Sequence, residues 1–303
     1  MRYNFYTADV FTDRTFGGNQ LAVFPNAAGL SDEQMKQITR EFNYSECTFV
    51  FPADDPAHHC RVRIFTPGRE LPFAGHPTVG TAFVLAAIGA VELTGDVTNI
   101  VFEEGVGPIP VSIDAVEGKP VRSELSAGMM PEIDPHLPTM AELAAALGLE
   151  VGDLRNDLFA PEIVSCGVPL VYVPLHDMAA LQRIKVDTEL ALDLANRYAA
   201  SELYAFVYDE AERHVYARMF APAMGIAEDP ATGAAATALA GYLGMRETQA
   251  TGRLNWTVTQ GVEMGRPSRL DVEADKQDGA MVAIRVGGAS VMVMEGVIDL
   301  PDP

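Results

Sequence analysis

Arg63-Ile64-Phe65-Thr66-Pro67, followed by a loop and then His76-Pro77-Thr78-Val79-Gly80-Thr81-Ala82, decides the fold because it is written twice. The second copy reads Arg218-Met219-Phe220-Ala221-Pro222, a loop, then Asp229-Pro230-Ala231-Thr232-Gly233-Ala234-Ala235. Arg-x-Phe-x-Pro recurs after 155 residues (218 − 63), and [His/Asp]-Pro-x-x-Gly-x-Ala after 153 (229 − 76). The two-residue difference shortens a loop, which loops tolerate. A period of half the chain means two similar domains rather than a solenoid, whose repeats run to about 20–50 residues. It also means two similar loop-to-helix corners, able to face each other across a cleft where chemistry is expected.

Composition narrows the classes. A chain of 303 residues suits about two domains of roughly 150 residues each. With 48% hydrophobic and 21% charged residues it reads as folded, not disordered. A net charge of −21 argues against nucleic acid and anionic membrane surfaces as partners, since both are bound through an excess of Lys and Arg. A small anionic substrate must then be held by local donors against the overall field. The three cysteines, Cys47, Cys60 and Cys166, are odd in number and lack a CxxC spacing, which fits a reducing cytoplasm better than a disulfide scaffold. The opening MRYNFYTADVF has no apolar signal-peptide core, and the longest apolar stretch, residues 79–91, is too short to span a bilayer. A soluble cytoplasmic protein is expected.

Strand patterns open the chain at residues 3–11 and 21–24. Ser31-Asp32-Glu33-Gln34 is a capping box leading into a helix through about Phe42. Short strands follow at 48–51 and 61–65, then a helix with Pro77 in its first turn and Gly89 at its end, then strands at 99–102 and 109–113. The second half repeats the order: a capping box at Thr139–Glu142, a helix at 188–199, strands at 204–208 and 215–220, and a helix from Pro230 to Leu243. Residues 254–298 read as strands broken at Gly261, Gly265 and Gly279. The Ala-rich helices at 78–87 and 232–241 are apolar nearly all round, which marks them as buried. The expected fold is α/β (α+β), two pseudo-symmetric domains, each a mostly antiparallel sheet wrapped around a central helix. The division falls in the region 117–138, giving domains 1–125 and 126–303, with the final strand able to join the first.

Four stretches carry a family resemblance: Gly18-Asn19-Gln20-Leu21-Ala22-Val23, Arg40-Glu41-Phe42-Asn43-Tyr44-Ser45-Glu46, Glu70-Leu71-Pro72-Phe73-Ala74-Gly75-His76-Pro77-Thr78-Val79-Gly80 and Glu228-Asp229-Pro230-Ala231-Thr232-Gly233. In this order they resemble the PhzF (phenazine biosynthesis) family over essentially the whole chain. The resemblance implies the diaminopimelate-epimerase-like fold, a homodimer, no cofactor, and an active site between the two domains. It implies an isomerase that moves a proton at carbon, as the family's named member does on a dihydro-hydroxyanthranilate.

Glu46 lies between a helix and an apolar strand, with Tyr44, Thr48 and Phe49 beside it. Burial there raises a carboxyl's pKa and suits it to proton shuttling near neutrality, although the same position also suits a surface glutamate at a helix end. The resemblance puts the family's catalytic glutamate at Glu46. His76 sits at a helix start, where the dipole favours neutral imidazole, and Asp229 at the matching corner is also a favoured N-cap residue. The resemblance assigns both to substrate binding and proton handling. Gly75, Gly80, Thr232, Gly233 and Ala234 offer backbone N–H groups at helix starts for a carboxylate or phosphate, although the glycines can equally serve close packing. Where the phenazine enzymes carry Ser after the Thr-Gly pair, this chain has Ala234, so a hydroxyl contact to that substrate is missing.

Other chemistry has less support. His58-His59-Cys60 could ligate a metal, but neighbours in a strand point to opposite sides and no second cluster lies near, so no metal is expected. A GxGxxG loop is absent, which leaves nicotinamide and flavin without a motif. A thiol-pair epimerase of the same fold needs a cysteine at each corner, where this chain has His76 and Asp229. A non-catalytic binding or interaction protein that kept the fold is the remaining alternative.

Overall fold

β1 (Arg2–Val10) and β2 (Asn19–Phe24) form an antiparallel pair, and the continuous apolar run of β2, residues 21–24, is buried on both faces. Ser31 then caps α1 (Asp32–Phe42): its side chain accepts from Gln34 N, while Gln34 Oε1 accepts from Ser31 N. Asn43, left-handed at φ 53, ends the helix. The buried side of α1, Met35 and Ile38, belongs to a core with Phe24, Phe49 and Phe65. The chain continues through β3 (Glu46–Phe51), β4 (Cys60–Phe65) and β5 (Glu70–Leu71) into α2 (Gly75–Ala87), buried from Gly75 to Ala86. Next come β6 (Val97–Glu104), β7 (Gly107–Val116) and β8 (Lys119–Ser126).

The second half contains β9 (Glu132–Asp134), α3 (Met140–Leu147), β10 (Glu162–Ser165), β11 (Pro169–Pro174), α4 (Met178–Arg183) and α5 (Thr188–Arg197). It goes on through β12 (Leu203–Asp209), β13 (His214–Ala221), β14 (Ile226–Asp229), α6 (Gly233–Arg246), β15 (Gly252–Gln260) and β16 (Ser268–Gln277). Leu143, Leu147, Leu181 and Leu194 of its outer helices share one core with Val171, Val173 and Leu203. The last strand is β17 (Ala280–Asp299). In this computed structural model residues 1–200 and 202–301 are described. The chain packs as two units, Met1–Ser126 with Gly287–Pro303, and Ala127–Val286, so residues from Gly287 onward return to the first unit.

The sequence repeat is a repeat of topology. In the first unit β2 runs parallel to β3, β3 antiparallel to β4, β4 antiparallel to β5 and parallel to β6, and β6 antiparallel to β7. In the second, β11, β12, β13, β14, β15 and β16 repeat that series of pairings in the same order. Each unit is a sheet around one buried helix, α2 or α6, as expected.

The doubled Arg-x-Phe has a structural reason. Residues i and i+2 of a strand share a face, so Arg63 lies over the Phe65 ring at 5.1 Å and Arg218 over Phe220 at 5.0 Å. Each guanidinium also grips a glutamate with two bonds: Arg63 to Glu70 at 2.7 and 2.6 Å, Arg218 to Glu228 at 2.8 and 2.8 Å.

One expectation is corrected. The second central helix begins at Gly233, not at Pro230, and Asp229 is the last residue of β14. Side chains from elsewhere hold 229–232 outside the helix: Ser268 Oγ donates to Pro230 O at 2.7 Å, and Gln260 Nε2 donates to Asp229 O at 2.8 Å. Asp229 therefore does not cap α6. Thr232 is the N-cap residue, and its side chain makes no cap bond. Among the described residues no helix is long and apolar enough to cross a membrane.

Candidate active site

In the first unit β2 and β3 run parallel with Leu21 opposite Glu46, so Asn19 and Glu46 open neighbouring strands at the same end. α2 brings His76 to that end. Glu46 Oε2 and His76 Nε2 lie 3.5 Å apart, both side chains buried. Asn19 Nδ2 lies 3.4 Å from His76 Nδ1, and Ser45 Oγ donates to Asn19 Oδ1 at 3.5 Å. Sequence reading picked out Glu46 and His76 but not Asn19, although Asn19 stands in a quoted motif.

Burial pulls the His76 pKa down to about 3, so the imidazole is neutral at pH 7. The neutral form was expected from the helix dipole. The dominant cause is loss of solvent. The sign of the linkage follows. Between pH 6.5 and about 3 the unfolded chain binds a proton at His76 that the folded chain refuses, so stability falls as pH drops through that window. His76→Gln is expected to flatten this loss in urea titrations at pH 4 and pH 7. An unchanged pH dependence in the variant would count against the neutral buried imidazole.

In the second unit the corner is held by Gln260, fully buried at the end of β15. Its Oε1 accepts from Tyr204 Oη at 3.3 Å and Thr232 N at 3.4 Å, and its Nε2 donates to Asp229 O at 2.8 Å and Thr232 Oγ1 at 3.0 Å. All four hydrogen-bonding positions of the amide are used. Because Thr232 Oγ1 accepts from Gln260, its single hydrogen goes to Asp229 Oδ2, which is thereby an acceptor. Gly261, at φ +75, allows this approach: a Cβ there would sit 2.6 Å from Pro230 O. Gln260 was missed from the sequence.

The helix starts differ from the expected set at one glycine. Neither α2 nor α6 has a side-chain cap bond. That leaves the N–H groups of Gly75 and His76, and of Gly233, Ala234 and Ala235, without acceptors in their own helices. Gly80 is reassigned from substrate binding to packing. A Cβ there would meet Val10 Cγ2 at 2.5 Å and Leu21 Cδ2 at 2.6 Å, and its own N–H lies beyond the first turn.

The remaining candidates have structural occupations. His58 Nδ1 lies 2.9 Å from Glu103 Oε1, and His59 Nδ1 accepts from Val101 N at 3.3 Å. Among the described residues no three His, Cys, Asp or Glu side chains gather as a metal would require. Burial pushes the thiols of Cys47, Cys60 and Cys166 up to about 12, so none is a thiolate at neutral pH.

The family profile described as phenazine biosynthesis-like protein matches residues 8–296. The chain belongs to the phenazine biosynthesis-like, or PhzF, family. It is 37% identical over 298 residues to an uncharacterized isomerase of Mesorhizobium japonicum, covering 97% of each chain. It is 36% identical over 295 residues to the trans-2,3-dihydro-3-hydroxyanthranilate isomerase of Pseudomonas aeruginosa, covering 97% of this chain and 98% of that one. The PhzF-family crystal structure from Bacillus anthracis superposes with a TM-score of 0.88 at 26% identity, over 99% of this chain and 100% of that one. A hydroxyproline epimerase from Agrobacterium vitis, at TM-score 0.69 and 13% identity, shares the fold. PhzF membership places the chain among isomerases and sets aside the non-catalytic alternative.

Proposed function

We propose that this PhzF-family isomerase works without a cofactor, removing a proton from carbon and returning it elsewhere on a small carboxylate-bearing substrate. The observation that carries the reading is the buried pair, Glu46 and neutral His76 at 3.5 Å, beside the uncapped start of α2. A carboxylate takes the proton and a neutral imidazole next to it orients substrate or relays hydrogen bonding, a division of labour that general acid/base catalysis needs. Such pairs are often long in the absence of substrate and tighten when it binds. Uncapped N–H groups at a helix start bind a carboxylate in a protein whose overall charge of −21 repels it. Asp229, with Oδ2 already accepting, is assigned to hold a donor group of the substrate. A homodimer and a cytoplasmic home rest on family membership and composition and belong to the same proposal.

The probe is trans-2,3-dihydro-3-hydroxyanthranilate, on which the Pseudomonas relative acts. Run in heavy water, product or recovered substrate is expected to carry deuterium at carbon, because a carboxyl exchanges with solvent between removal and return. Turnover with no deuterium in either pool would count against Glu46 as an exchanging carrier. A chain that leaves the compound untouched has a different substrate, consistent with Ala234 in place of the phenazine enzymes' Ser.

A further inference from the structure

Glu104 ends β6 as Gln260 ends β15, each followed by a glycine and 156 residues apart (260 − 104), close to the period of the other repeats. Gln260 clamps the corner of α6. Glu104 reaches the corner of α2: its Oε1 lies 2.6 Å from Thr78 Oγ1, which is itself 2.8 Å from Ala74 O, the residue ahead of Gly75 and His76. A hydroxyl carries one hydrogen, yet both neighbours of Thr78 Oγ1 are oxygens. If Glu104 were ionised, one of these two short contacts would set lone pair against lone pair. A neutral acid resolves both: Glu104 donates to Thr78 Oγ1, and Thr78 donates to Ala74 O. Glu104 Oε2 is buried and has no hydrogen-bond partner, a tolerable place for an acid's carbonyl oxygen and a costly one for a carboxylate.

We propose that Glu104 is a positioning residue that holds the corner carrying His76, acting as the neutral acid in the place a glutamine fills in the second unit. The charged and titratable groups around it are accounted for. On β4, Arg61 pairs with Asp54 at 3.1 Å, and Arg63 is held by Glu70 of β5 and by Asp32. Glu103 of β6 is tied to His58 and to the N–H groups of Asp54 and Asp55. Cys60 is pushed up to about 12, and His76 on α2 is pulled down to about 3. None of these donates to Glu104, and its burial raises the carboxyl to about 8, so the clamp is neutral at pH 7 and ionises in mild alkali. Above that point Thr78 can no longer serve both oxygens, and the first turn of α2 must rearrange. The link to catalysis rests on the isomerase reading above, whereas the clamp itself does not.

The test uses the full chain, labelled with nitrogen-15, and follows the His76 ring signals from pH 6.5 to 9.5, assigned by their loss in His76→Gln. His76 itself does not titrate in that window. Wild-type signals are expected to move with a midpoint near 8, and those of Glu104→Gln to stay where neutral wild type has them. Thr78→Val, which removes the connecting hydroxyl, is expected to silence the movement as well. Signals that stay still in wild type, or move equally in Glu104→Gln or Thr78→Val, overturn the proposal. In a second arm, with trans-2,3-dihydro-3-hydroxyanthranilate as probe, the wild-type rate is expected to fall roughly tenfold per pH unit above 8 and that of Glu104→Gln to hold. Rates falling equally in both overturn the catalytic link. No turnover by either protein speaks against that substrate and leaves the ring signals to decide the clamp.

Discussion

Glu46→Gln is expected to lose turnover by about 10²–10⁴-fold or more, and deuterium uptake at carbon should fall with it. The amide matches the carboxyl in size, so the 3.5 Å approach to His76 can survive the change. What it cannot do is accept a proton. Binding of the substrate carboxylate should be little affected, because that group is assigned to backbone N–H groups and not to Glu46. The loss therefore belongs in kcat rather than KM. His76→Ala and Asp229→Ala should cost less, or weaken binding more than turnover. Steady-state rates and product spectra in heavy water read both quantities at once. A Glu46→Gln protein that still turned over substrate at near wild-type rate would leave the mechanism without its proton carrier.

The second large effect is on stability, and it separates two copies of one motif. Arg218→Ala should destabilise the protein by about 3–5 kcal/mol, the usual cost of stranding one member of a buried ion pair. The guanidinium is nearly inaccessible, and besides Glu228 it serves the carbonyls of Leu181 and Ile184 at 3.1 and 3.3 Å. Arg63 makes the same bidentate grip in the first unit, but its partners Glu70 and Asp32 are 40% and 69% exposed. Water can replace it there, so Arg63→Ala should cost about 1 kcal/mol or less beyond its packing. Urea denaturation of both variants at pH 7 gives the comparison. Equal losses would mean that burial does not set the worth of this pair.

Much of this was legible in the residues. The two capping boxes at Ser31 and Thr139 start their helices as read, because a local hydrogen-bond pattern needs no tertiary information. Apolar composition correctly marked α2 and α6 as buried. The expected start of α6 at Pro230 differs from the observed one because Asp229-Pro230 looks like a helix entrance, while its carbonyls are engaged by Gln260 and Ser268, thirty or more residues away. β8 lies inside the stretch read only as the region of the domain boundary. Its alternation is carried only by Ser123 and Leu125 turning inward, and Arg122 is offset by Glu124 at 2.6 Å. In the candidate site, Glu46 and His76 were readable from motif and context. Gln260 and Glu104 were not, since a single polar residue closing a strand has no local signature. Their common offset of 156 residues was the one available clue.

The pairing of β17 with β1, from Arg2 opposite Asp299 to Val10 opposite Ser290, has a consequence for biosynthesis. The first unit is interrupted: between its residues Ser126 and Gly287 lies the whole of Ala127–Val286. On a ribosome adding about 5–20 residues per second, the strand that closes the first unit is made roughly ten to thirty seconds after the rest of it. During that interval β1 presents an unpaired edge, while the contiguous second unit can already mature. The half bearing Glu46 and His76 is thus begun first and finished last, and the nascent chain must keep that open edge from pairing elsewhere until its own tail arrives.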